Sequence, residues 1–451
     1  MGLGFKTRRP LQLVCTGLVF TILLLIISGC SNEDEEVALA DYGTYGRALA
    51  LEIAEDYPYR GPYSEAAAEV ADLIYNEFSG LGYEPQRQSF SASEEGEFEG
   101  QESENIIVKI PGRGFYQLSE EEILKPEPQT LAMLDKDEVK PIFRRQVIIG
   151  AHYDTPISSS QSEEYPDYDG ISDNASGIAA LLTLAKEIQG ETFGYDVILV
   201  AFGAGNDDFR GARSFASEMS EDEINSTDCV YILQNIYAGD KLYAHAGRNS
   251  LEEGHLYERR RKLYETTDVV LEYNLPYEND MDLVFNQMLS TIEYPSESGI
   301  RVQYREFTTH NSDYVPFDDM DIPIVYIESG NYDTESPSEV RDTLRNGYEE
   351  TDGWIAGTNI DNQEFLSEAI GLTLLQERIN NTAFILKGCL EKGAYDGIAL
   401  SPDQMEDEEE VTNTSVINDL TDQNETDQSE DSAGGEETTG TVEEAEEAPA
   451  E

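Results

Sequence analysis

The sequence predicts an α/β fold, a mixed, mostly parallel open sheet with helices on both faces. Three observations carry this. Residues 146–151 and 196–202 are short, largely apolar runs bounded by turns, as strands covered on both sides are. Residues 175–188 between them form an apolar, Ala-rich stretch of helical length, which makes a βαβ-type unit. Further short strand-like runs follow at 229–233, 241–244 and 324–327, and a closing helix is expected over 365–386.

The chain begins with Lys6, Arg8 and Arg9, then an apolar run over 11–27 ending Ile27-Ser28-Gly29-Cys30. A basic start, a short apolar core and small residues before the cut describe a secretory signal. A cysteine directly after Ser-Gly resembles the bacterial lipoprotein signal, in which Cys30 becomes the lipidated mature N-terminus. A plain signal anchor is the competing reading. Acyl chains on Cys30 would tether the protein to the cell membrane on its extracytoplasmic face. No other stretch is long and apolar enough to span a bilayer. The expected organisation is a signal peptide (1–29), an acidic tether (30–44), one α/β domain (45–395) and an acidic tail without fixed structure (396–451). With Cys15 in the signal and Cys30 lipidated, Cys229 and Cys389 remain. They could pair outside the cytoplasm or stay as buried thiols.

The formal charge is −63 over 451 residues. Residues 401–451 hold 19 Asp or Glu and no Lys or Arg, so the other 400 residues still carry −44. Such a surface repels phosphates and argues against a nucleic-acid partner. It resembles the acidic surfaces of salt-loving bacteria, where ions screen self-repulsion. Binding of cations or basic partners is the alternative reading. The densest basic run of the mature chain, Arg259-Arg260-Arg261-Lys262, is expected on a helix over 256–264 as local charge balance.

Within the domain, residues 45–82 read as two helices broken at Pro58–Pro62 and ended by Gly80 and Gly82. Residues 86–90 and 104–110 read as strands flanking an acidic hairpin tip at 94–102. In open α/β sheets functional groups collect at the carboxyl ends of strands. His152 and Asp154 follow the first buried strand there, and Asp173 lies in Ser172-Asp173-Asn174-Ala175-Ser176-Gly177 at a helix start. His152 could bind a metal through one ring nitrogen, Asp173 could bridge two cations, and Asp154 could orient His152. Ser172 and Ser176 lie near His152, but no Gly-x-Ser-x-Gly elbow follows a buried strand, which disfavours a serine hydrolase. The acidic group Glu163, Glu164, Asp167 and Asp169 reads as a solvated loop rather than a calcium site.

These pieces resemble peptidase family twenty-eight, the di-zinc aminopeptidases of clan MH. The resemblance runs from about Tyr45 to Leu386 through Tyr59-Arg60-Gly61-Pro62-Tyr63-Ser64, Gly150-Ala151-His152-Tyr153-Asp154, Asp173-Asn174-Ala175-Ser176-Gly177, Ala201-Phe202-Gly203-Ala204, Gly239-Asp240-Lys241-Leu242-Tyr243 and Ser312-Asp313-Tyr314-Val315-Pro316-Phe317. It implies five zinc ligands and an adjacent glutamate base. His152 matches the first histidine and Asp173 the bridging aspartate. The base falls on Gly205, and the three other ligands fall on Asn206, Gln234 and Gly357. The family's Ser-Asp-His reads Ser312-Asp313-Tyr314, which makes Tyr314, with His310 four residues before it, a cleft candidate.

Amides bind zinc poorly beside carboxylates, and glycine has no side chain to offer. A catalytic zinc needs about three protein ligands. The expectation is therefore a lipid-anchored, catalytically inactive pseudopeptidase that binds a peptide or protein in the old cleft, with no cofactor. The alternative is an active metal-dependent aminopeptidase with a rearranged zinc site that keeps His152 and Asp173. A third reading is a scaffold for the acidic tail.

Overall fold

The computed structural model describes residues 44–125, 130, 140–248, 257–272, 283–285, 290–296, 299–305, 311–332 and 337–401. The signal, Cys30, His310 and nearly all of the tail lie outside them. The chain divides into two units, Met1–Ala399 and Leu400–Glu451.

The centre of the first unit is an eight-stranded sheet: β1 (Gln86–Ser91), β2 (Glu102–Ile110), β3 (Gln146–His152), β4 (Asp196–Phe202), β5 (Thr227–Gln234), β6 (Lys241–His245), β7 (Leu283–Phe285) and β8 (Ile324–Gly330). Their spatial order is β1-β2-β4-β3-β5-β8-β6-β7. The inner four, β4, β3, β5 and β8, run parallel. β1, β2 and β6 join antiparallel, and β7 pairs parallel with β6. The predicted mixed α/β sheet is the observed one. A small three-stranded sheet joins 115–117, 142–143 and 397–399, so folded chain continues past residue 395.

Alternation along the strands divides two cores. Val147, Ile149 and Ala151 of β3 face one side with Val197, Leu199 and Ala201 of β4. Helices α1 (Tyr45–Asp56), α2 (Glu65–Gly80), α3 (Ser176–Glu187), α4 (Tyr257–Glu272) and α5 (Leu372–Lys392) bring buried residues to that side. Ile148, Ile198, Val200 and Phe202 face the other side, against the short helices 210–217 and 315–318. The break between α1 and α2 falls at the Pro58–Pro62 interruption, and Ser64 caps α2 by accepting from the Ala67 N–H at 3.1 Å. The closing helix is two helices, because Gly371 takes φ +86° between Gln363–Ala369 and α5, a left-handed turn that ends one helix before the next begins. No helix among the described residues is long and apolar enough to cross a membrane.

The basic run lies on the expected helix and is balanced locally, but it is buried and takes a distant partner as well. Arg260, Arg261 and Lys262 are buried on α4. Arg261 pairs with Asp228 at 2.6 Å and Glu265 at 2.5 Å, and Lys262 pairs with Glu265 at 2.7 Å and donates to the Gly393 carbonyl at 2.9 Å. Acids from a strand and the same helix neutralise the run inside the fold. Cys229 and Cys389 are free, buried thiols.

Candidate functional site

The carboxyl ends of β3, β4 and β5 converge on one polar cluster. His152 ends β3 and is buried. Its Nδ1–H donates to the Asp154 carbonyl at 3.0 Å, and its Nε2 stands 3.4 Å from Asp173 Oδ1. Asn174 laces the strand ends together. Its amide donates to the carbonyls of His152 (3.1 Å) and Leu233 (3.0 Å) and accepts the Asn235 N–H (2.9 Å). The distorted turn carrying Asp173 is held from behind by Asp361, whose buried carboxylate accepts the N–H groups of Ser172 (2.8 Å) and Asp173 (3.1 Å). Asp169 accepts the N–H groups of Ile171 and Gln363 at 3.0 and 2.7 Å. Arg60, fully buried, donates to the carbonyls of Tyr153, Asp169 and Gly170 at 2.7–2.9 Å. The turn is thus built to hold Asp173 still.

Asp154 holds the neighbouring turn more than it holds His152. Its carboxylate is 3.7 Å from Nδ1 but accepts the N–H of Gly205 at 2.6 Å, the N–H of Asn206 at 2.9 Å and the Asn206 side-chain amide at 3.1 Å. Gly205 has no space for a side chain: a Cβ there would lie 2.5 Å from His152 Cβ and 2.7 Å from its Cγ. Gln234 turns its carbonyl oxygen to the hydroxyls of Ser312 and Tyr326. Gly357 takes φ +68° and faces Pro156, in a backbone conformation that an L side chain rarely adopts.

A cavity of about 230 Å³ opens over this cluster, lined by His152, Gly205, Asn206, Asp208, Phe209, Gln234, Asn311 and Asp313. Tyr314 is not in it. Tyr314 is fully buried, its ring 5.3 Å from that of Tyr326 in the second core, because the helix it caps (Val315–Asp318) packs against the sheet. The residue before it, Asp313, takes the cavity instead and was not singled out from the sequence. The Ser-Asp-Tyr run itself was the available signal, a charged residue leading into an apolar segment.

Asp313 is wholly buried, and neither carboxylate oxygen has a hydrogen-bond partner on another described residue. Burial pushes it up to about 7; the attraction of His152 opposes this, while Asp154 and Asp173 add to it. Burial works against charge on His152, but Asp154, Asp173 and Asp313 together hold it well above the usual histidine value.

The family's pair of zinc ions does not fit these residues. Among those described, no group of three or more His, Cys, Asp or Glu side chains is arranged to hold a metal. His152 and Asp173 supply donors. Asn206 and Gln234 commit their amides to protein partners, and Gly205 and Gly357 supply nothing.

Residues 131–354 match the sequence model of Peptidase family M28. The alkaline phosphatase isozyme conversion protein of Escherichia coli (strain K12) is 32% identical over 108 residues, which is 23% of this chain and 31% of that protein. BSAP, a zinc aminopeptidase from Bacillus subtilis, superposes with a TM-score of 0.51 at 12% identity, covering 79% of this chain and 97% of that one. A glutaminyl cyclase from an Acidobacteriales bacterium gives a TM-score of 0.49 at 15% identity over 77% of this chain and 96% of that one. At 12% identity the likeness to BSAP speaks to fold, and the family rests on the sequence match: the chain carries a domain of peptidase family M28.

Proposed function

We propose that this domain is a non-hydrolytic family member whose cavity holds the free amino terminus of a peptide. The observation that carries the reading is Gly205. The position where the family's general base falls has no side chain and, with His152 packed against it, no room for one. Around the cavity, buried acceptor oxygens lack a hydrogen-bond donor. Asp313 offers two unpartnered carboxylate oxygens and Asp173 Oδ1 one more. An ammonium group brings three donors and a positive charge, which matches that need.

The test is calorimetric titration of the intact chain with a short peptide and its N-acetylated twin. Binding of the free amine alone, weakened about tenfold or more by Asp313→Asn as for a buried charged pair, is the expected result. Equal binding of both peptides would end the reading.

A second reading is a rearranged site in which His152 and Asp173 alone hold a single cation, and the unpartnered Oδ1 of Asp173 favours it. It predicts about one tightly held metal ion per chain purified without chelator. We further propose that lipid on Cys30 anchors the chain to the extracytoplasmic face of the cell membrane. Cys30→Ala would then release it from membrane fractions, and retention there would contradict the proposal.

A further inference from the structure

We infer that the rim of this cavity selects peptides carrying Lys or Arg close behind the free amino terminus. The inference rests on the amino-terminus reading and deepens it by naming the ligand class.

The tip between β1 and β2 carries Glu94, Glu95, Glu97 and Glu99, all exposed, with no Lys or Arg from 92 to 103. None of the four forms an ion pair among the described residues. The tip is fastened to the cavity wall. The ring of Phe98, set among these glutamates, lies 5.1 Å from that of Tyr63. The Tyr63 hydroxyl donates to Asp207 at 2.7 Å. The next residue, Asp208, lines the cavity. Arg210, on the same turn, donates to the carbonyls of Ser91 and Ala92 at 2.9 and 3.4 Å, which fixes the base of the hairpin. Nearby cations are already engaged: Arg210 on those carbonyls and Arg213 on Asp208 at 3.2 Å.

A chain of this charge exposes acids widely, so the tip alone would mean little. What gives it direction is the cavity beside it, where Asp313 is wholly buried with both oxygens unpartnered. A peptide whose ammonium reaches Asp313 lies in a cavity whose wall at Asp208 adjoins the turn that holds this tip. Its next residues are then placed to meet a negative rim whose nearby described cations, Arg210 and Arg213, are already engaged, where a basic side chain is attracted and an acidic one repelled.

The experiment compares three peptides on the intact chain by calorimetry: Ala-Lys-Ala-Ala, Ala-Ala-Ala-Ala and N-acetyl-Ala-Lys-Ala-Ala. At low salt the lysine peptide should bind about three- to tenfold tighter than the alanine peptide, the worth of a few exposed charge pairs. The gap should close at roughly 0.5 M salt, as screening requires. It should also close in a rim variant combining E94Q, E95Q, E97Q and E99Q. It should persist in a control combining E120Q, E121Q, E221Q and D222N. Asp222 lies beside Glu223, whose carbonyl is bonded by Gln146 at the opposite end of β3. Equal affinity of the lysine and alanine peptides for the native chain would overturn the inference and leave the amino-terminus reading standing. Loss of the gap in the control variant would also overturn it, by showing that the field of the whole molecule is responsible. Undiminished binding of the acetylated peptide, or no binding of any peptide, would overturn the underlying reading as well.

Discussion

Two buried acidic centres stand at opposite ends of the sheet, and they treat charge in opposite ways. Asp228 lies at the amino end of β5, with Arg261 at 2.6 Å and Lys262 at 3.8 Å. Burial alone would raise its pKa, yet those cations hold it below the usual aspartate value. Asp313 lies at the carboxyl ends, with two further aspartates against a single imidazole, and burial drives it up to about 7. A fold that only needed stability would pair both. The pairing of one and the frustration of the other separate a structural centre from the one we propose to bind a ligand.

Five substitutions sharpen that contrast. The largest effect should come from Arg261→Ala, which leaves Asp228 and Glu265 short of a buried partner. Removing one member of a buried pair costs about 3–5 kcal/mol, read as a fall in the urea midpoint. An unchanged midpoint would mean that the amino-end network is not structural.

Asp313→Asn should move stability the other way. The folded-state value of Asp313 lies above that of an exposed aspartate, so its favourable contribution is present in acid. That contribution is lost as pH rises from about 4 through about 7. In chelator-treated protein the asparagine variant should therefore be more stable than the native chain at pH 8, by about 4 kcal/mol at most. It should match the native chain near pH 4. Destabilisation at pH 8 would show that Asp313 has a partner after all.

Gly205→Ala should cost about 1–3 kcal/mol by overpacking, since the new methyl meets His152. By the same contact, Gly205→Glu should fail to restore hydrolysis. Asn206→Ala should have the smallest effect, about 0.5–1.5 kcal/mol, since of the two lost amide hydrogen bonds to Asp154 one is long, at 3.4 Å, measured by thermal unfolding. A larger loss would give the Asn206 amide a greater part in shaping the cavity.

The sheet was legible because residues 146–151 and 196–202 are apolar on both faces, as only strands covered on both sides can be. His152 and Asp173 were legible because they sit where a strand gives way to a helix within a specific motif. Asp313 was not, because which of two adjacent residues faces a cavity depends on how a four-residue helix docks. Sequence marked Tyr314, and packing sent Tyr314 to the core. The basic run was read only as local charge balance for a related reason. Its helix was expected, but its partner Asp228 is 33 residues away in the chain, and a run of like charges gives no sign of a distant counter-charge. The task of Asp154 was hidden too, because motif spacing names the residue but not the N–H groups of Gly205 and Asn206 that it accepts.

The most direct test is turnover. The intact chain is incubated with a free-amine peptide and excess zinc, and the mixture is read by mass spectrometry. The account predicts that the peptide is recovered whole. Release of its first residue, abolished by chelator and by His152→Ala, would contradict the claim that this cavity binds an amino terminus without cleaving behind it.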